Sequence, residues 1–261
     1  GFMLLFAGAM LATVTADSLV ALLMAWEMMG AASYALIGYW WREDERASAG
    51  LVAFLTTRTG DLGLYLAAGA ALAGGSGNLS LTSLASLDGG WRDAAAAGVV
   101  LAALGKSAQL PFSFWLSRAM AGPSPVSALL HSATMVAAGG YLLLRLEPLL
   151  AATSWALPTV AWVGAATAVA LGAVAACQSD LKQLLAASTC AQMGVLVLAA
   201  GVGGVAAGTG QLVAHAITKS LLFLAAGAWL TALGTKQLGD LAGAARRYPV
   251  VGVGFTVGSL S

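Results

Sequence analysis

Ionisable side chains interrupt stretches of this chain that are otherwise apolar and long enough to cross a bilayer, and nothing else narrows the possible folds as much. Lys106 stands in one such stretch, 94–115; Glu27, Arg58 with Asp61, and His215 with Lys219 stand in others. Holding an ionisable group near the bilayer midplane costs roughly 2.5–3.5 kcal/mol on insertion scales, so these residues face the bundle interior and mark ion or proton pathways. The chain therefore reads as an all-α polytopic membrane protein that moves charge. Composition agrees: of 261 residues, 59% are hydrophobic and 9% charged, where an ordinary soluble domain carries about 25% charged residues. A net charge of +1 gives no sign of a nucleic-acid partner. The two cysteines, Cys177 and Cys190, lie in no CxxC or Cys/His cluster, so neither a zinc, an iron–sulfur nor a haem signature is present.

Apolar runs at about 2–15, 18–40, 48–73, 94–119, 125–146, 157–176, 181–201 and 205–233, with a further start near 249, predict eight helices and part of a ninth. The turn at Thr15, Ala16 and Asp17 is short enough to make the first two helices antiparallel neighbours. Within the longest polar connection, 74–92, Leu79, Leu81, Leu84 and Leu87 predict a short surface helix. Glycines, 33 in all, are spread through the spans and fit close helix packing. The chain opens at Gly1 inside an apolar run and stops at Ser261 partway through another, so it is expected to be a piece of a longer polytopic protein. Counting alternate crossings, Arg42, Arg46, Arg118, Lys182, Lys236, Arg246 and Arg247 fall on one side, and Arg92 and Arg145 on the other. The positive-inside rule makes the first side cytoplasmic, in a bacterial inner membrane or an equivalent energy-coupling membrane.

Glu27 lies about nine residues into the second span, roughly 14 Å deep in a core about 30 Å thick. Lys106 is similarly deep, and Pro111, which lacks an N–H and clashes with the preceding turn, should break its helix just after the lysine. Non-helical backbone at that depth is tolerated only inside protein or beside a wet cavity, which places the lysine in a hydrated pocket. At about 4 Å and an effective dielectric near 20, a Glu27–Lys106 pair would gain about 4 kcal/mol. Making and breaking it could load and unload a proton. His131 has two titratable ring nitrogens suited to a relay; a lone histidine is more often a packed, hydrogen-bonded residue, and its company here shifts the reading towards the relay. His215 and Lys219, four apart, share a helix face that Gln211 extends by one turn. Arg58 and Asp61, three apart, can pair locally and so enter the bilayer as a neutral unit. Asp180 and Lys182 read as interfacial anchors and as partners for other loops.

Several strings together resemble one family: Trp26-Glu27 followed by Ser33-Tyr34, Arg58-Thr59-Gly60-Asp61, Gly105-Lys106-Ser107-Ala108-Gln109-Leu110-Pro111, the run from Pro123 through His131 to Val136, and His215 to Lys219 leading into Leu221-Leu222-Phe223. They are similar to the antiporter-like subunits of respiratory complex I, best to its L (chain-5) subunit. The resemblance implies an inverted-repeat bundle with discontinuous helices, with residues 1–146 as most of the first repeat and 147–261 as a truncated second. It implies that Glu27 pairs with Lys106 at the proton entry, that Asp61 and Arg58 tune that pair, and that His131 links it to His215 and Lys219. A further lysine facing the exit is expected past Ser261. Two departures from the family pattern stand out: Gln211 where a histidine is frequent, and Arg118 where an acid is frequent.

The implied activity is proton translocation as a subunit of the NADH:quinone oxidoreductase enzyme. Such a chain would carry no redox centre or cofactor itself, with NADH, FMN, iron–sulfur clusters and quinone in partner subunits. Its partners would be other membrane subunits of the complex, the lipid bilayer and protons. The large subunit of a multisubunit Na⁺/H⁺ antiporter and the membrane arm of a hydrogenase are the alternatives, the former echoed at Pro111-Phe112-Ser113-Phe114-Trp115. An intramembrane hydrolase built on Ser132 and His131 lacks a GxSxG elbow. A passive anchoring subunit would tolerate uncharged isosteres at Lys106 or Glu27.

Overall fold

The computed structural model describes residues 1–260, with all their side chains except those at 132 and 133; the Ser132 side chain of the hydrolase alternative lies outside the described residues. The chain is a helical bundle: α1 (Phe2–Thr15), α2 (Leu19–Ile37), α3 (Asp44–Ala73), α4 (Gly89–Lys106), α5 (Phe114–Ala119), α6 (Ser124–Ala128), α7 (Met135–Arg145), α8 (Glu147–Ala151), α9 (Ala156–Ala176), α10 (Leu181–Gly201), α11 (Val205–Leu233), α12 (Ala244–Arg247) and α13 (Pro249–Leu260). Local chemistry sets the boundaries. Ser18 caps α2 by accepting from Ala21 N at 3.3 Å, and the Asp180 carboxylate caps α10 by accepting from Lys182 N and Gln183 N at 2.8 and 3.1 Å. Gly234 ends α11 with φ +73°, a left-handed cap that costs a residue without Cβ little.

Among the described residues, five segments are long and apolar enough to cross a membrane: 19–37, 124–145, 156–176, 181–201 and 205–233. The other expected spans exist as helices but depart from that standard for identifiable reasons. α1 and α13 are shorter. α3 begins with Asp44, Glu45 and Arg46 and carries Arg58 and Asp61 inside; α4 carries Arg92, Asp93 and Lys106. The leucine-rich connection is a 3-10 turn, Leu81–Ser86, with Leu81 and Leu84 buried. It is held to the α1–α2 turn by Leu19 N to Leu79 O at 2.8 Å and Leu81 N to Asp17 O at 3.0 Å.

Two helices are interrupted. α4 stops at Lys106, and the chain runs through non-helical backbone, including Ala108 at φ +52°, before α5 begins at Phe114. The second rod, 124–145, carries a π-helical segment, Leu129–Thr134, between α6 and α7. Thr134 Oγ1 donates to Leu129 O at 2.5 Å, five residues back. Such wide turns concentrate at functional positions, and this one contains His131.

The tightest packing joins α3 to α4 and α9 to α10. At the first of these, Gly63 faces Gly98 so closely that a Cβ on either would strike the other's carbonyl oxygen. Backbone contact of this kind lets two helices meet without a layer of side chains between them. Its consequence is to press Asp61, two residues from Gly63, against the end of α4. Arg46, Arg118, Lys182 and Lys236 line one cavity, whereas Arg145 pairs with Asp17 at 3.2 Å beside the α1–α2 turn.

Candidate functional site

Lys106 is fully buried. Its ammonium lies 2.9 Å from Asp61 Oδ2 and 5.5 Å from the centre of the Trp26 ring. The second oxygen of that carboxylate, Oδ1, accepts the Trp26 Nε1 proton at 2.6 Å. Both oxygens of the acid are thus engaged, as a buried charge requires. Gly30, one turn beyond Trp26 on α2, makes the space: a Cβ there would sit 3.2 Å from Lys106 Nζ.

The break after Lys106 frees backbone groups, and side chains from three elements take them up. Trp115 Nε1 donates to Gly105 O at 3.0 Å, Gln109 Nε2 donates to Ser107 O at 2.9 Å, and Leu110 N donates to Thr167 Oγ1 on α9 at 3.2 Å. The discontinuity is therefore held in place by specific bonds, and the lysine sits at its lip.

Pairing across the first three helices differs from the expectation. Glu27 was expected to meet Lys106, and Arg58 to meet Asp61. Instead Glu27 Oε1 pairs with Arg58 Nη1 and accepts the Tyr65 hydroxyl at 3.1 Å, while Asp61 takes the lysine. Helix geometry explains the exchange. Successive residues on a helix are turned by about 100°, so burying Trp26 between the helices leaves Glu27 on the flank of α2. The close approach of α4 captures Asp61, and Arg58 and Tyr65, seven apart on α3, are left facing that flank. The Glu27 and Arg58 side chains remain 26% and 34% exposed, in contrast to the buried Lys106–Asp61 pair.

His131, in the π segment, is buried with its ring centre 6.0 Å from that of Trp115 and 6.4 Å from that of Phe223. Among the described residues, no protein group bonds either ring nitrogen. Trp115 thus touches both groups: its N–H holds the backbone beside Lys106 and its ring packs on His131. The π segment packs against α11, where His215 sits against the His131 backbone without a hydrogen bond of ordinary geometry. One turn on, Lys219 Nζ donates to Ser188 Oγ at 2.5 Å. His215, Lys219, Ser188, Gln192 and Gln211 line a cavity of about 340 Å³, across which Gln211 Nε2 donates to Gln192 Oε1 at 2.7 Å. Gln211, one turn before His215, thus supplies a neutral hydrogen-bonding wall.

The structure therefore brings together Lys106 with Asp61, then His131, then His215 and Lys219, and sets Glu27 with Arg58 to one side. Lys182 takes a larger part than an interfacial anchor. It is buried, and its Nζ donates to Met120 O and Gly122 O, both at 2.9 Å, clamping the elbow between α5 and α6. The sequence marks it as a partner for other loops without saying which, because its partners lie some sixty residues earlier. Asp180, read with it as a partner for other loops, pairs with Lys236 at 2.8 Å.

A family model described as the transmembrane part of NADH:quinone oxidoreductase and Mrp antiporter matches residues 16–261. The chain is 41% identical over 266 residues to NADH-quinone oxidoreductase subunit L of Pseudomonas aeruginosa, an alignment covering 97% of this chain and 42% of that protein. It is 39% identical over 279 residues to the chloroplastic NAD(P)H-quinone oxidoreductase subunit 5 of Zygnema circumcarinatum, covering 100% of this chain and 40% of that one. Among solved structures, a chain of the Mrp complex from a Dietzia species superposes with a TM-score of 0.84 at 37% identity, over 90% of this chain and 26% of that chain. The chain spans about two fifths of the length of these curated relatives.

Proposed function

This chain belongs to the NADH:quinone oxidoreductase and Mrp antiporter transmembrane family, and from that premise we propose that it translocates protons as part of the L-type, non-redox membrane subunit of an NADH:quinone oxidoreductase. The observation that carries the reading is the buried Lys106–Asp61 pair at the lip of a helix break, followed across the bundle by His131, His215 and Lys219. A lysine whose single counter-ion can be drawn away exchanges its proton with whichever neighbour is then the better base. Each proton driven outward against 100 mV needs about 2.3 kcal/mol. NADH, FMN, iron–sulfur clusters and quinone in partner subunits would supply that energy.

In this reading residues 1–146 contribute most of one antiporter-like repeat and 147–261 part of its inverted counterpart. The loop charges and the bacterial relative support a bacterial inner membrane. Glu27 and Arg58, on the flank, form a secondary pair that biases the Asp61–Lys106 pair from outside it. The test is Lys106→Ala in the full-length protein, assembled in sealed vesicles, with proton uptake and electron transfer followed together. Protons moved per electron should fall severalfold while electron transfer persists, and an unchanged ratio would overturn the proposal.

The likeness to the Mrp complex favours one second reading, a Na⁺/H⁺ antiporter large subunit. It predicts Na⁺-driven proton exchange in vesicles given no NADH, and the first reading predicts none.

A further inference from the structure

Four basic residues from four separate elements meet in one cleft, at the end that the loop charges make cytoplasmic in the proposed reading, and the proposed relay does not use it. Arg46 of α3, Arg118 of α5, Lys182 of α10 and Lys236 after α11 line a cavity of about 530 Å³, with Glu45 the one acid among its lining residues. Arg46 and Lys236 have carboxylate partners, Glu43 at 2.6 Å and Asp180 at 2.8 Å. Lys182 bonds two carbonyls, which leaves the third proton of its ammonium group. Among the described residues, no carboxylate forms an ion pair with Lys182 or Arg118. The cleft thus holds two basic side chains, Arg118 and Lys182, that no carboxylate pairs directly, with Glu45 on its wall.

A second cavity, of about 590 Å³ and mostly apolar in its lining, runs on from the first. The two share Trp40, Pro123, Ser124 and Leu230. The new wall is a stripe of α11, Leu224, Gly227, Ala228 and Thr231, whose spacing of three, one and three places it on one helix face. Gly227 brings that face against Ser124, where a Cβ would lie 2.7 Å from the serine Cβ. Trp40, at the junction, carries the Arg46 guanidinium 4.0 Å over its ring, and aromatic residues of this kind settle at headgroup level.

A cationic cleft with a tryptophan at its edge that continues into an apolar groove along α11, a helix long and apolar enough to cross a membrane, matches one ligand chemistry. We propose that this is a binding site for an anionic glycerophospholipid, with its phosphate diester on Arg118 and Lys182 and an acyl chain along the α11 stripe. Basic pockets between helices on the cytoplasmic face recognise anionic headgroups. Lys182 couples the site to the fold, because the ammonium that would meet the phosphate also clamps the elbow between α5 and α6.

The test uses the full-length protein in nanodiscs of phosphatidylglycerol or phosphatidylcholine, with bound lipid counted by native mass spectrometry and a photoreactive side chain at position 231 reporting what fills the groove. Phosphatidylglycerol should be retained preferentially and labelled from position 231. Arg118→Glu should weaken its retention on the order of thirtyfold, as expected for reversing one surface charge. Ala228→Trp, which fills the groove and leaves the charges, should reduce retention of both lipids; Lys236→Gln serves as a second charge variant if Arg118→Glu does not fold. Equal retention of the two lipids, undiminished phosphatidylglycerol on Arg118→Glu, displacement of the lipid by inorganic phosphate alone, or labelling of a protein segment from position 231 would each overturn the assignment.

Discussion

Lys106 meets Asp61, 45 residues earlier on the neighbouring helix, at 2.9 Å, and this contact decides which carboxylate is the lysine's counter-ion. Glu27, the acid whose depth in the membrane made it the natural partner, lies on the outside of the same helix pair with Arg58. The two acids therefore stand in different electrostatic settings, one enclosed by protein, the other screened by its exposure.

Asp61→Asn should consequently be far more damaging than Glu27→Gln. Removing one partner of a buried pair costs about 3–5 kcal/mol, whereas partly exposed pairs contribute about 0–1 kcal/mol. Thermal unfolding in detergent and proton uptake in vesicles would both rank the variants in that order. A larger loss of uptake with Glu27→Gln would show that Glu27 is the working counter-ion.

Gly63→Ala should disturb the same pair without touching a charge. The added methyl collides with the Gly98 carbonyl, and the helices must separate to admit it. Overpacking of this kind costs about 1–3 kcal/mol. Proton uptake should fall along with stability, and Gly69→Ala, where a Cβ meets nothing within 4 Å, should behave as the native protein.

His131→Leu separates packing from proton transfer. The ring lies between Trp115 and Phe223 with no protein group among the described residues bonded to its nitrogens, so an apolar replacement loses no protein hydrogen bond. A buried polar group without a partner costs about 1–3 kcal/mol, and stability should therefore hold or rise. Proton uptake should nevertheless drop sharply at unchanged expression; a variant that pumps normally would remove His131 from the relay.

Lys182→Met should loosen the elbow between α5 and α6. It abolishes two bonds from a charged donor, each worth about 1.5–3 kcal/mol, and leaves the carbonyls of Met120 and Gly122 without their partner. Hydrogen exchange at 120–127 should quicken relative to α9, and an unaltered exchange pattern would show that the clamp is dispensable.

The fold was legible because bilayer solvation is severe: long apolar runs with polar punctuation have few outcomes, and the helices fall close to where hydropathy puts them. The break after Lys106 was readable for a similar reason, since Pro111 cannot continue the turn and nearby polar residues can meet the freed backbone. The identities of the titratable residues were readable too, because a charge at the midplane is conspicuous against its neighbours. Their partners were not. Pairing depends on rotation of each helix about its axis and on how closely backbones approach, and these are settled by contacts such as Gly63 on Gly98 between residues far apart in the chain. The same dependence hid the particular partners of Lys182, which the sequence offers as a partner for other loops and which in space holds two loop carbonyls. Sequence alone determined which groups could carry a proton and roughly how deep each lies; only the tertiary structure decided which of them touch, because coulombic and hydrogen-bond energies fall off over a few ångströms and depth along one helix says nothing about distance to another.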